Sequence, residues 1–142
     1  MIGVLIVTHG GLATELLAAA RVIAGELPNF RALSLDWSEG LEQARARIAA
    51  ELAGLETGEG VLVLTDMFGD TPSNAALSLR VEGRVEVISG VNLPMVVRLG
   101  CSRTSAAPVG EVARWLEVKG RRSIARATGT ADTEREPDCG DD

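Results

Sequence analysis

His9 is the sole histidine in the 142-residue chain. It stands where the apolar run Ile2–Val7 gives way to the turn Thr8-His9-Gly10-Gly11, with a helix expected to open at Leu12. Imidazole titrates near neutral pH, so one of its nitrogens can serve there as a nucleophile or general base. A histidine at the carboxyl end of a first strand, facing a helix N-terminus, suits a group that carries or binds an anion. Asp66 follows a second apolar run, Val61–Leu64, in the same way. If those strands are neighbours, its carboxylate can hold one ring nitrogen and leave the other facing outward. The stretch Thr65–Asn74 adds Gly69, Thr71, Pro72 and Ser73, a turn and helix start rich in donors suited to phosphoryl oxygens. Phe68 is expected to pack over this turn or face a partner. A third turn, Ser89–Met95, offers backbone amides and Asn92. Each feature also has an ordinary structural explanation as a turn former, helix cap or packed side chain.

The elements that must position these residues follow from patterning. Five short apolar runs alternate with helix-like segments. A strand at Ile2–Val7 precedes a helix from Leu12 to about Gly25, with Leu12, Leu16, Ala19 or Ala20, Ile23 and Leu27 expected inward. A strand at Phe30–Leu35 precedes a helix reaching about Leu55, with Ser38 as its cap and Leu41, Ala44, Ile48, Leu52 and Leu55 along its stripe. The run Val61–Leu64 reads as a strand covered on both faces. A short helix to about Arg80, a strand at Arg84–Ile88 and a short helix over Asn92–Gly100 come next. A last helix spans Val109–Val118, with Val112, Trp115 and Leu116 inward, and a final short strand is expected near Ser123–Ala127. Such alternation specifies an α/β fold: one domain with an open, mostly parallel sheet and helices on both faces. In such a sheet, ligands bind outside the carboxyl ends of the strands, where the three turns should meet.

Composition narrows the chemistry. The chain carries a formal charge of −6. Residues 129–142 hold six acids against Arg135, so residues 1–128 are nearly neutral, with 14 acids and 13 bases. A near-neutral body argues against a nucleic-acid binder, and the acidic 129–142 segment reads as a disordered tail. No apolar run approaches the roughly 20 residues of a membrane span, and the start lacks a basic signal-peptide region. A cytoplasmic location is expected. Cys101 and Cys139 read as reduced thiols, without the close pairing of a zinc site. Neither a Gly-x-x-x-x-Gly-Lys loop nor a Gly-x-Gly-x-x-Gly fingerprint is present, so a phosphoryl group arriving on a protein fits better than one arriving on ATP.

Three segments, Ile2–Gly11 with His9, Asp66-x-Phe68-Gly69-x-Thr71-Pro72-x-Asn74, and Ser89-Gly90-Val91-Asn92-Leu93-Pro94-Met95, together resemble the mannose-family IIA domain of the bacterial sugar phosphotransferase system. The resemblance covers about residues 1–128. It implies a phosphohistidine carrier in which His9 is phosphorylated at Nε2 by the histidine-containing phosphocarrier protein and Asp66 orients the ring through Nδ1. It implies that Gly10, Phe68, Gly69, Thr71, Ser73 and Asn92 line the site, and that no metal, nucleotide or other cofactor is needed. The recipient would be a IIB component, or a partner that reads the phosphorylation state as a regulatory signal. Peripheral contact with a membrane permease and a homodimer that exchanges the strand near 123–127 are further implications. Asp70 departs from the pattern, standing where the family usually has a second glycine. Pointing inward it would oppose phosphate; pointing outward it would be harmless.

The sequence also admits other readings. The phosphocarrier subunit of a dihydroxyacetone kinase shares the active histidine but has different later loops. Small tetrapyrrole metal chelatases also carry a His-Gly turn, yet commonly need a second histidine. A phosphoaspartate receiver would require an acidic pair after the first strand, where Thr8-His9 stands. A binding module that kept the fold and lost the relay is the remaining alternative.

Overall fold

The computed structural model describes residues 1–102 and 107–128. The chain runs β1 (Gly3–His9), α1 (Leu12–Ala24), β2 (Phe30–Leu35), α2 (Leu41–Leu55), β3 (Val61–Thr65), α3 (Thr71–Ser78), β4 (Val85–Ser89), α4 (Leu93–Ser102) and α5 (Val109–Arg122). The four strands form one all-parallel sheet in the order β2-β1-β3-β4.

Period-two alternation sorts the strand residues between two cores. Val4, Ile6, Leu62 and Leu64 face α1, α4 and α5. Leu5, Val7, Val61 and Val63 face α2 and α3. Burial on both faces explains why β1 and β3 are continuous apolar runs rather than alternating ones. The chain leaves β1 toward β2 on one side, then returns through α2 to β3 on the other. The strand order therefore reverses between β1 and β3, and the crevice at that point opens beyond their carboxyl ends. Val7 pairs with Thr65, so His9 and Asp66 emerge side by side.

Local details differ from the sequence pattern. The buried face of α1 is Ala13, Leu17 and Ala20, while Leu12 and Ile23 are exposed. Close packing against α4 explains the rotation: a Cβ at Gly100 would lie 2.7 Å from Leu27 Cδ2 and 3.2 Å from Ala24 Cβ, so small side chains are selected there. Ser38 does not cap α2, whose first turn follows Gly40 without a side-chain cap. Its amide and hydroxyl both donate to Asp36 Oδ1 instead.

The strand expected near 123–127 is not formed in this single chain. Helix α5 continues to Arg122, Ser123 ends it, and residues 124–128 are exposed without secondary structure. The helix persists because its end is tied down: Asn92 Nδ2 donates to Gly120 O and Ser123 Oγ. The expected tail at 129–142, with Cys139, lies outside the described residues.

Candidate active site

Strand β1 ends at His9, and Thr8 prepares the turn beneath it. The buried Thr8 hydroxyl accepts the Ala13 N–H at 2.6 Å, which satisfies an early amide of α1 and locks the helix start against the strand. Gly10 takes φ +54°, and its N–H donates to Leu35 O. A Cβ at Gly10 would stand 3.2 Å from the Trp37 indole nitrogen, so glycine serves both the backbone conformation and the close approach.

Asp66 organises the histidine. Its Oδ2 accepts the His9 backbone N–H at 3.0 Å and lies 2.8 Å from His9 Nδ1. Its Oδ1 accepts the Met67 N–H at 3.0 Å. Three donors thus converge on one carboxylate, and both the imidazole and Asp66 side chains are only 13% exposed. The bond from Nδ1 to Asp66 fixes the plane of the ring and leaves the Nε2 edge for other contacts. A carboxylate in this place can also stabilise a positive charge on the ring.

Two residues complete the surroundings of the ring. Trp37, in the loop after β2, stacks on His9 with centroids 4.8 Å apart and planes 20° from parallel. That loop is shaped by Asp36, whose carboxyl is held below the ordinary carboxylate range, chiefly by the Ser38 backbone N–H and next by the Ser38 hydroxyl. The second residue is Asp70. Its Oδ2 lies 3.0 Å from His9 Nε2, while its Oδ1 accepts the Thr71 N–H as the cap of α3. The departure from the family pattern therefore points inward.

The remaining candidates divide. Gly69 turns the loop at φ +88°, and Phe68 and Met67 are exposed on its outer surface. Thr71 opens α3 behind Asp70. Ser73 is fully buried and does not reach the ring; its hydroxyl bonds Ser89 Oγ, which also bonds Thr65 Oγ1. Asn92 turns away from His9 to accept the Met95 N–H and to grip the end of α5. From the third turn it is Ser89 that meets the loop, a position legible from its register with Thr65. Trp37 carried no spacing signal, although its place just beyond a strand's carboxyl end put it on the correct edge of the sheet. Among the described residues no group of three or more His, Cys, Asp or Glu side chains is arranged to hold a metal ion.

Truncating Trp37 measures what the stack contributes. An exposed aromatic pair is worth about 0.5–1.5 kcal/mol. Trp37→Ala should therefore slow phosphoryl acceptance by His9 about two- to tenfold, and Trp37→Phe should recover most of the loss. The indole is 77% exposed and belongs to neither core, so thermal melting should fall by only the few degrees that about 1 kcal/mol represents. A rapid-quench assay read by intact mass checks the first expectation, and calorimetry checks the second.

Comparison with known proteins identifies the family and the fold. Residues 3–115 match the family described as PTS system fructose IIA component. The chain is 35% identical over 124 residues to the mannose-specific EIIAB component of Escherichia coli K12, covering 87% of this chain and 38% of that protein. The chain thus spans well under half the length of that relative. It is 34% identical over 100 residues to the fructose-specific EIIA component of Bacillus subtilis, covering 70% of this chain and 68% of that one. Among solved structures, the mannose/sorbose-specific IIA subunit from Enterococcus faecalis superposes with a TM-score of 0.79 at 29% identity, covering 89% of this chain and 95% of that one. The EIIA component from Streptococcus agalactiae gives the same TM-score at 26% identity, covering 89% and 97%. The chain belongs to the mannose-type IIA family of the phosphotransferase system.

Proposed function

We propose that this protein is a phosphohistidine carrier in sugar uptake, with His9 Nε2 as the acceptor. The observation that carries the reading is the Asp66 carboxylate, bonded to both the backbone and Nδ1 of the one histidine. In the step, the Nε2 lone pair attacks phosphorus, the donor's P–N bond breaks, and the electron pair stays on the donor nitrogen. Asp66 keeps the ring in line and balances the charge on the phosphorylated imidazole. The starts of α1 and α3 flank the ring, and helix N-termini favour an approaching anion. No cofactor is needed for such a transfer.

The donor is the histidine-containing phosphocarrier protein, and the recipient is a IIB component or a regulatory partner. The exposed Met67, Phe68 and Trp37 give a docking protein apolar surface around the histidine. The chain works in the cytoplasm at the face of a permease; no helix among the described residues is long and apolar enough to cross a membrane. A homodimer fits the outer edge of β4, which pairs with no other named strand among the described residues, and the exposed 124–128 segment. The test is incubation with phosphoenolpyruvate, Enzyme I and the phosphocarrier protein. One phosphoryl group per chain by intact mass is the expected result; no addition overturns the carrier reading.

A further inference from the structure

We propose that Asp70 is a displaceable plug on the reactive nitrogen of His9. Nε2 is the edge that must meet phosphorus, and Asp70 Oδ2 already occupies hydrogen-bond distance from it, 3.0 Å. Two acceptors at this spacing repel, so the contact holds a proton between nitrogen and oxygen. With Nδ1 directed at Asp66, the ring is bracketed by carboxylates on both edges and covered on one face by Trp37. No phosphoryl group can reach Nε2 while Oδ2 remains in that place.

The plug is built to move. The Asp66 side chain is 13% exposed and fixed by three donors, whereas that of Asp70 is 45% exposed and, apart from His9, is held only by the neighbouring Thr71 N–H, a cap bond that water can replace when it turns outward. In the opened step the Nε2 proton passes to Asp70, which turns outward and releases it to water. The freed lone pair then forms the bond to phosphorus as the donor's P–N bond breaks. Once phosphate is on Nε2, the returning carboxylate would face an anion, so the same residue opposes retention of the group. The inference rests on the carrier reading for its purpose, but not for its test.

The test uses phosphoramidate, a small P–N donor that needs no protein partner, with intact mass as the readout. Asp70→Gly empties the position, and a glycine cap costs α3 only a few tenths of a kcal/mol. Asp70→Ser keeps a capping oxygen and removes the carboxylate. Breaking a charge-assisted hydrogen bond at a half-exposed site predicts labelling of His9 about tenfold faster in both variants than in the wild type. Acceleration in both supports the plug. Equal rates in all three proteins overturn it, as does acceleration in Asp70→Gly alone, which would trace the effect to the cap. No labelling of either variant also overturns it, because an unplugged Nε2 must be open. If phosphoramidate labels the variants faster while the phosphocarrier protein labels none of the proteins, the plug stands and the carrier reading falls.

Discussion

His9→Ala should accept no phosphoryl group from the phosphocarrier protein, a loss of at least about a thousandfold in rate. The chain has no second histidine, so no other imidazole can take over. The variant should nevertheless fold. The His9 side chain belongs to neither hydrophobic core, and its removal deprives Asp66 of one donor of three and Trp37 of its stack. A loss of about 1 kcal/mol in stability is expected, the ordinary size for one such substitution. Intact mass after incubation with the complete donor system reads the first effect, and urea unfolding reads the second. A folded His9→Ala protein that still gains phosphate would move the acceptor to another residue.

The residues at the centre of this prediction were legible because local patterning and topology agree. A run such as Val61–Leu64, apolar at every position, fits a strand covered on both sides, and two such strands in the middle of a parallel sheet end at the same crevice. His9 and Asp66 follow from that logic with no knowledge of side-chain contacts. What escaped is tertiary. The expected stripe of α1 holds at Leu16, Ala20 and Leu27 but fails at Leu12 and Ile23, because close helix contacts select Ala and Gly whereas a search for periodic large apolar residues selects Leu and Ile. The end of α5 was hidden because Ser123 is held by Asn92, 31 positions away in sequence. The same contact took Asn92 out of the histidine's surroundings. Trp37 and the direction of Asp70 depend on loop geometry that no periodicity encodes.

Asp66→Asn should be the second most damaging change, lowering the rate of phosphoryl acceptance by up to about 10⁴-fold, the size of loss when the carboxylate orienting a catalytic histidine becomes an amide. The argument rests on counting donors. The carboxylate offers acceptors on both sides, to His9 N–H and Nδ1 on one and to Met67 N–H on the other. An amide has one acceptor and one donor end. If its oxygen faces His9, its NH₂ meets the Met67 N–H. If it turns over, its NH₂ meets the His9 N–H and forces Nδ1 to become an acceptor. The proton then moves to Nε2, where the nucleophilic lone pair should be. Either orientation leaves a clash between donors, and the second also inverts the tautomer. Asp66→Asn should therefore be no less impaired than Asp66→Ala, although it is the closer isostere. Phosphorylation rates of the two variants, measured beside the wild type, decide the point. An Asn variant close to wild type in rate would mean that a carboxylate is not needed to hold the ring.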